Sequence, residues 1–310
     1  MTPAREPPLL DHFTRSGLRA LHLGGRSVLP SVQGGMGVGV SAHRLAGSVA
    51  SHGAVGTISS VDLRRHHPDL MDRSSAMPPG PQLKNVINAA NVEALRREIA
   101  SARQLAGGSG LLAVNVMRAV SDYASSVQTA LECGIDAVVV GAGLPLDDGV
   151  WQSLLAFPLF HQQRHPACIG KVGHEQRSRV VARQIGQVSV AGLPARAVLT
   201  PWLRSYLKAE PRLQATAHKK PRCVMSFDCL AQCGLRDGMA GWGQFCIDKQ
   251  LAAALRGDVA KGLFFRGAGA LPFGSAISTV ERLLRRLLSP GVAVGTPPAA
   301  TVPATLAAAA

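Results

Sequence analysis

Aromatic side chains are scarce in this 310-residue sequence, where Phe, Trp and Tyr together make up 4%. Proteins that hold single-stranded nucleic acid stack its bases on aromatic rings. This scarcity therefore weighs against a nucleic-acid partner, although Lys and Arg number 33 against 19 acids. The basic excess is also concentrated. Residues 161–222 carry twelve Lys/Arg and two Glu, a net +10 of the formal +14, which marks one solvated basic segment rather than a basic protein. No run of about 18 consecutive apolar residues occurs, so no spanning helix is expected and no membrane partner is assigned. The opening stretch MTPAREPPLLDHF lacks the charged stub, apolar core and small-residue cleavage site of a secretory leader. With that opening, six cysteines read as reduced thiols, and the expected compartment is the cytoplasm.

What is present is a globular balance, 46% hydrophobic and 17% charged. After an N-terminal extension over residues 1–27, Val28–Gln33 reads as a strand. It leads into the glycine-rich turn Gly34–Gly39. Ser41 is placed to cap a helix over 42–52, Gly53 to end it, and Ala54–Ser59 to form the next strand. Residues 60–90 show little periodicity and read as a long connection. Asn91 is then placed to cap a helix with Val92, Leu95, Ile99 and Ala102 on one face. Leu111–Met117 is a third strand. Ser121 or Asp122 caps a helix on which Tyr123, Val127 and Leu131 share a face, and Gly134 closes it. Asp136–Gly143 is a fourth strand, whose valine run predicts burial on both faces. Such alternation points to an α/β fold, either a barrel or a doubly wound sheet.

The rhythm stops after Pro145. Residues 148–222 read as a basic irregular segment with one short strand candidate near Ala167–Val172. In the Cys-containing region 223–290, Phe245–Leu255 reads as a helix and Gly262–Ser275 as a strand followed by a glycine loop. Ser278 and Glu281 form a capping box for a last helix. On that helix Val280, Leu283, Leu284, Leu287 and Leu288 are expected to face inward, with Arg282, Arg285 and Arg286 in solvent. Residues 291–310 form a Pro/Ala tail.

The Gly34–Gly39 turn admits two readings, a tight turn or a loop that lets a ligand approach the backbone. Asn115 at a strand end offers a donor and an acceptor to a ligand edge, or simply caps a loop. His174 reads as a solvated histidine, and His43 and His52 as surface or partly buried positions. Cys223, Cys229, Cys233 and Cys246 lack the tight C-x2-C knuckles of structural zinc sites and read as buried thiols, with no metal assigned.

Three stretches together carry a resemblance. PSVQGGMGVGVSAHRLAGSVASHGAVGTIS, NVMRAVSDYASSVQTALECGIDAVVVGAGLPLD and the late CLAQCGLRDG and FCIDKQLAAALRGDVAKGLFFRGAGALPFGSA resemble the nitronate monooxygenases, formerly 2-nitropropane dioxygenases. That group in turn resembles the flavin-dependent enoyl reductases. The resemblance covers roughly residues 21–147 and 189–288. It implies a (β/α) barrel of TIM type binding FMN at the carboxyl ends of its strands, with residues 28–147 as its first half. It further implies that Gln33, Gly34, Gly35 and Met36 lie against the flavin, that Asn115 contacts its ring, and that the loop from Gly141 to Pro145 follows the fourth strand. The implied reaction is oxidation of an alkyl nitronate or nitroalkane by dioxygen.

The chain also departs from that pattern. It has no Gly-Gly-His, the motif that carries the family's catalytic histidine, and its Gly-Gly pairs stand only at 24–25, 34–35 and 107–108. Several middle-to-late βα units with their phosphate-binding turns are missing or replaced. The expectation is an incomplete barrel with weak flavin binding and low turnover. Enoyl reduction, or a non-catalytic remnant acting as a partner subunit, remain the alternatives, and unpaired sheet edges leave a homo-oligomer open.

Overall fold

A computed structural model describes residues 9–78, 80–141, 197–215, 229–230, 246–265, 273 and 276–289. Helix α1 (Leu9–Ser16) precedes a hairpin of β1 (Leu21–Leu23) and β2 (Arg26–Val28). Gly24 and Gly25, both at positive φ (54° and 75°), form its turn. Two consecutive left-handed residues give the twist that a two-residue hairpin needs. The strand expected over 28–33 is therefore divided. Val28 belongs to the hairpin, while residues 31–33 run beside the next strand, with Val55 N donating to Ser31 O at 3.0 Å and Gln33 N to Val55 O at 2.9 Å.

Helix α2 (His43–Ser51) leads through Gly53, at φ 82°, into β3 (Val55–Ser59). A one-turn 3-10 helix (Leu63–His66), α3 (Pro68–Ser75) and α4 (Pro81–Ala106) connect β3 to β4 (Leu111–Met117). Helix α5 (Tyr123–Glu132) connects β4 to β5 (Ala137–Gly141). The three strands pair in parallel in the order β3-β4-β5, with Ser59, Asn115 and Val139 side by side. This is a mixed α/β fold. Among the described residues the sheet does not close on itself.

Alternation along the strands separates two faces. Ile58, Leu112, Val114 and Val116 join Ala46 and Ala50 of α2, Leu95 and Ile99 of α4 and Val127 of α5 in one buried cluster. On the opposite face Val55, Leu111, Ala113 and Ala137 pack beneath the hairpin residues Leu21, Leu23 and Val28. That second face is wholly apolar only at the amino ends of the strands, since Val139 beside Asn115 is its apolar member further along. Toward the carboxyl ends it carries Thr57, Ser59 and Asn115. Helix α2 lies directly on β3 because Gly56 has no side chain: a Cβ there would stand 1.8 Å from the Ala46 carbonyl oxygen.

Several local expectations are corrected. Residues 60–90 are mostly helical. Pro81, pre-set for a first helical turn, starts a 26-residue helix inside which Asn91 is buried and caps nothing. Val139 is 43% exposed, because β5 is the outermost strand among the described residues, so its valines are not buried on both faces.

Within the stretch read as irregular, α6 (Pro201–Ala215) is a helix. Its interior Pro211 lacks an amide donor and reads as a breaker. Leu203 and Tyr206 of α6 pack with Ala197 and Leu263 in a small separate cluster. Helix α7 (Asp248–Leu255) is a shortened form of the helix expected from Phe245. Helix α8 (Val280–Leu287) is capped by Thr279, whose hydroxyl accepts from Arg282 N, and not by Ser278. Glu281 instead pairs with Arg285. Only Leu284 and Leu288 of the expected inward stripe are buried, while Leu283 and Leu287 are exposed. Leu288 joins Leu29, Val49 and Ala54, with Phe13 of α1 against them, so the last helix returns to the first elements of the chain. The segment 142–196, which includes the end of the loop after the fourth strand, the strand candidate near 167–172 and His174, lies outside the described residues, as does the tail 291–310. No helix among the described residues is long and apolar enough to cross a membrane.

Candidate functional site

The carboxyl ends of the parallel strands hold the residues singled out by the resemblance. Gln33 sits where the segment beside β3 ends. Its side-chain Oε1 accepts from Thr57 N at 2.9 Å, extending by one bond the backbone ladder that ends at Gln33 N. Its Nε2 donates to Gly34 O at 2.5 Å and to Ser41 Oγ at 3.0 Å. From Gln33 the chain turns down onto the polar part of the sheet face. A Cβ on Gly35 would lie 2.6 Å from Asn115 Cβ and 3.3 Å from Thr57 Cγ2, so only glycine permits this approach. Gly141 closes the other side, where an added Cβ would stand 3.9 Å from Asn115 Nδ2.

Gln33, Gly34, Gly35, Asn115 and Gly141 therefore converge, with Met36 half-exposed on the same loop. Among the described residues no hydrogen bond engages the Asn115 carboxamide, and the buried Thr57 Oγ1 has no partner. Thr57 was missed by sequence reasoning. The signal was present: with Ser59 it breaks the apolar run of the strand at alternate positions.

Ser41 has a different role from the one expected. The helix it was to cap starts after Ala42, with no side-chain bond from that residue. The first amide of α2 is satisfied from another helix: Glu98 Oε2 accepts from His43 N and His43 Nδ1, each at 2.7 Å. Glu98 is 1% exposed, and His67 Nε2 lies 3.1 Å from its other oxygen. His43, its side chain 29% exposed, is partly buried, as the sequence reading allowed, and it joins α2 to α4. Ser41 folds the glycine loop instead, its hydroxyl accepting from Met36 N at 2.8 Å. The loop ends with Val38 at φ 56° and Gly39 at φ 78°. A left-handed β-branched residue costs on the order of 1–3 kcal/mol, and such strain clusters at functional sites. His66 Nε2 holds Gly39 O at 2.6 Å.

A polar network flanks this edge. Asp62 binds Arg64 at 2.9 Å and also Arg65, and Arg65 reaches Asp248 of α7 at 3.2 Å. Arg64 N donates to Asn91 Oδ1 at 3.4 Å. Asp122, the residue before α5, makes no capping bond. Burial pushes its carboxyl up to about 6, against the opposing hydrogen bond from Asn91. Burial also raises Asp248, opposed by Arg65. Both shifts follow from desolvation of the charged form.

Cys229 and Cys246 are partly buried, and Cys223 and Cys233 lie outside the described residues. Among the described residues no group of His, Cys, Asp and Glu is placed to hold a metal ion. No model of a known protein family matches the chain, and no curated protein matches it.

Proposed function

We propose that this chain is a flavin-binding α/β protein of the nitronate monooxygenase type, acting in the cytoplasm on alkyl nitronates with dioxygen. The observation that carries the reading is the convergence of Gln33, the Gly34–Met36 loop, Asn115 and Gly141 at the carboxyl ends of parallel strands. Ligands of open α/β sheets and α/β barrels bind at that end. In this reading residues 28–147 are the first half of a (β/α) barrel. Two features support it: the sheet order follows the chain, and α8 packs back beside α2.

The residues present fit the isoalloxazine end of FMN. Gly35 keeps the loop low over the sheet, and the half-exposed Met36 offers an apolar contact to a flat ring. The Asn115 carboxamide and Thr57 hydroxyl, both without partners among the described residues, supply a donor and acceptors at its edge. When bound, FMN takes up the substrate's electrons and passes them to dioxygen, while the protein's part is to bind and orient. The sequence offers no Gly-Gly-His to move a proton, and the family's phosphate turns are not among its motifs. Binding is accordingly weak and turnover low.

Purified protein should carry sub-stoichiometric FMN by its visible absorbance. It should bind added FMN weakly by quenching of flavin fluorescence, and release nitrite from a nitronate slowly, with oxygen uptake. Absence of any FMN binding overturns the reading. Consumption of NADPH with an acyl thioester, without oxygen uptake, replaces it with enoyl reduction.

A further inference from the structure

Ser41 is 1% exposed and uses every hydrogen-bonding group it has. Its hydroxyl accepts from Met36 N at 2.8 Å and Gln33 Nε2 at 3.0 Å, and donates to Gly34 O at 3.2 Å. One donor and two acceptor sites are all that a serine hydroxyl possesses. Its backbone is committed as well: Ser41 N donates to Met36 O at 3.0 Å, and Ser41 O accepts from Ser59 N at 2.9 Å. A single side chain thus ties the start, the tip and the return of the loop together, and its carbonyl fixes the whole to the end of β3. Beyond Ser41, the loop is held by the Gln33 Nε2 bond to Gly34 O and by the close approach of Gly35 to Asn115. Gly34 is in open space, and Met36 is half-exposed.

We infer that Ser41 is the positioning residue of the carboxyl-end site, its hydroxyl clipping residues 33–36 into the shape that receives a flat, polar-edged heterocycle. The inference rests on the flavin reading above. Ser41 acts through Gln33 and Met36 and does not touch the ligand itself. Its side chain contributes to binding by sparing the loop the ordering that an unclipped segment undergoes when a ligand arrives. The Cβ and backbone bonds of Ser41 survive replacement by alanine, so the effect falls on the loop and not on the core.

The test uses the full chain with Ser41→Ala and Ser41→Thr, with two readouts. The first needs no flavin: exchange of the Met36 amide followed by NMR. It should speed up about tenfold in Ser41→Ala, the loss of one net hydrogen bond, with the urea midpoint nearly unchanged. The second is FMN affinity by fluorescence quenching, which should fall about tenfold in Ser41→Ala and recover in Ser41→Thr, which keeps the hydroxyl.

Unchanged Met36 exchange in Ser41→Ala overturns the clip. Faster exchange with unchanged FMN affinity overturns its role toward the ligand, as does failure of a folded Ser41→Thr to recover affinity. A fall in the urea midpoint as large as that of a core truncation makes Ser41 merely structural and also overturns the proposal. If the unaltered chain takes up no FMN at all, the flavin reading fails and Ser41's ligand role fails with it. The exchange result still decides whether the clip exists.

Discussion

The parallel sheet and the C-terminal elements bury their apolar residues in different ways. Around β3, β4 and β5 one continuous cluster runs from Ala42 of the glycine-loop return to Ile135 before β5, gathering residues from α2, α4 and α5. Among the described residues of the C-terminal part, the cluster of Ala197, Leu203, Tyr206 and Leu263 is small. Further contacts among the described residues tie the C-terminal part to the first half. Asp248 pairs with Arg65, Leu255 approaches Gly39, and Leu288 enters the seam of Leu29, Val49 and Ala54. The first half is a scaffold, and the C-terminal helices lean on it. Burial stabilises in proportion to the apolar area removed from water, so the two regions should not unfold alike.

The largest expected effect is at the seam between α2 and α4. Glu98→Ala leaves His43 N and the His43 ring without their acceptor inside the protein. At about 1–3 kcal/mol for each unpaired buried donor, the loss should be about 3 kcal/mol or more. Urea unfolding measures it. A loss below about 1 kcal/mol would show that the seam is wet and that the scaffold is looser than its burial suggests.

Truncation of the two cores tests the contrast directly. Ile99→Ala, at a site 1% exposed, should lower global stability by about 3–4 kcal/mol, within the usual range for such cavities. Leu203→Ala, at a fully buried site, should instead cost about 2 kcal/mol and open only its own neighbourhood, seen as faster amide exchange over residues 197–215. Equal global losses from the two variants would mean that both regions fold as one unit.

A smaller effect is pH-dependent and confined to the scaffold. The native carboxyl of Asp122, at about 6, holds its proton more tightly than an ordinary carboxyl near 3.8. Its contribution to stability is therefore fully present below about pH 4 and is lost as pH rises through about 6. Asp122→Asn, which keeps an acceptor for Asn91, should flatten the fall between pH 4 and 6. It should also raise stability at pH 7 by on the order of 2 kcal/mol. Urea midpoints across that range check this, and parallel pH curves for the two proteins would show that Asp122 is not desolvated.

Local chemistry was legible in the sequence. The strand–glycine turn–helix–strand order, the glycine stops at Gly53 and Gly134, and the buried face of Tyr123, Val127 and Leu131 depend on neighbours within a few residues. Such neighbours impose the same backbone geometry wherever the segment is placed. That Gln33, Gly35, Asn115 and Gly141 belong to one site was implied only by the family resemblance, and their distances came with the folded sheet.

What the tertiary structure alone decided were the partners of polar groups. Ser41 looked like a cap until the loop folded back on it. Asn91 looked like a cap until Pro81 was seen to start the helix ten residues earlier. The α2 amide found its acceptor in Glu98, 55 residues away. A serine, asparagine or glutamate can satisfy its hydrogen bonds with any suitable group that packing brings near. Sequence therefore sets the capacity of these side chains, and only the packed fold chooses where that capacity is used.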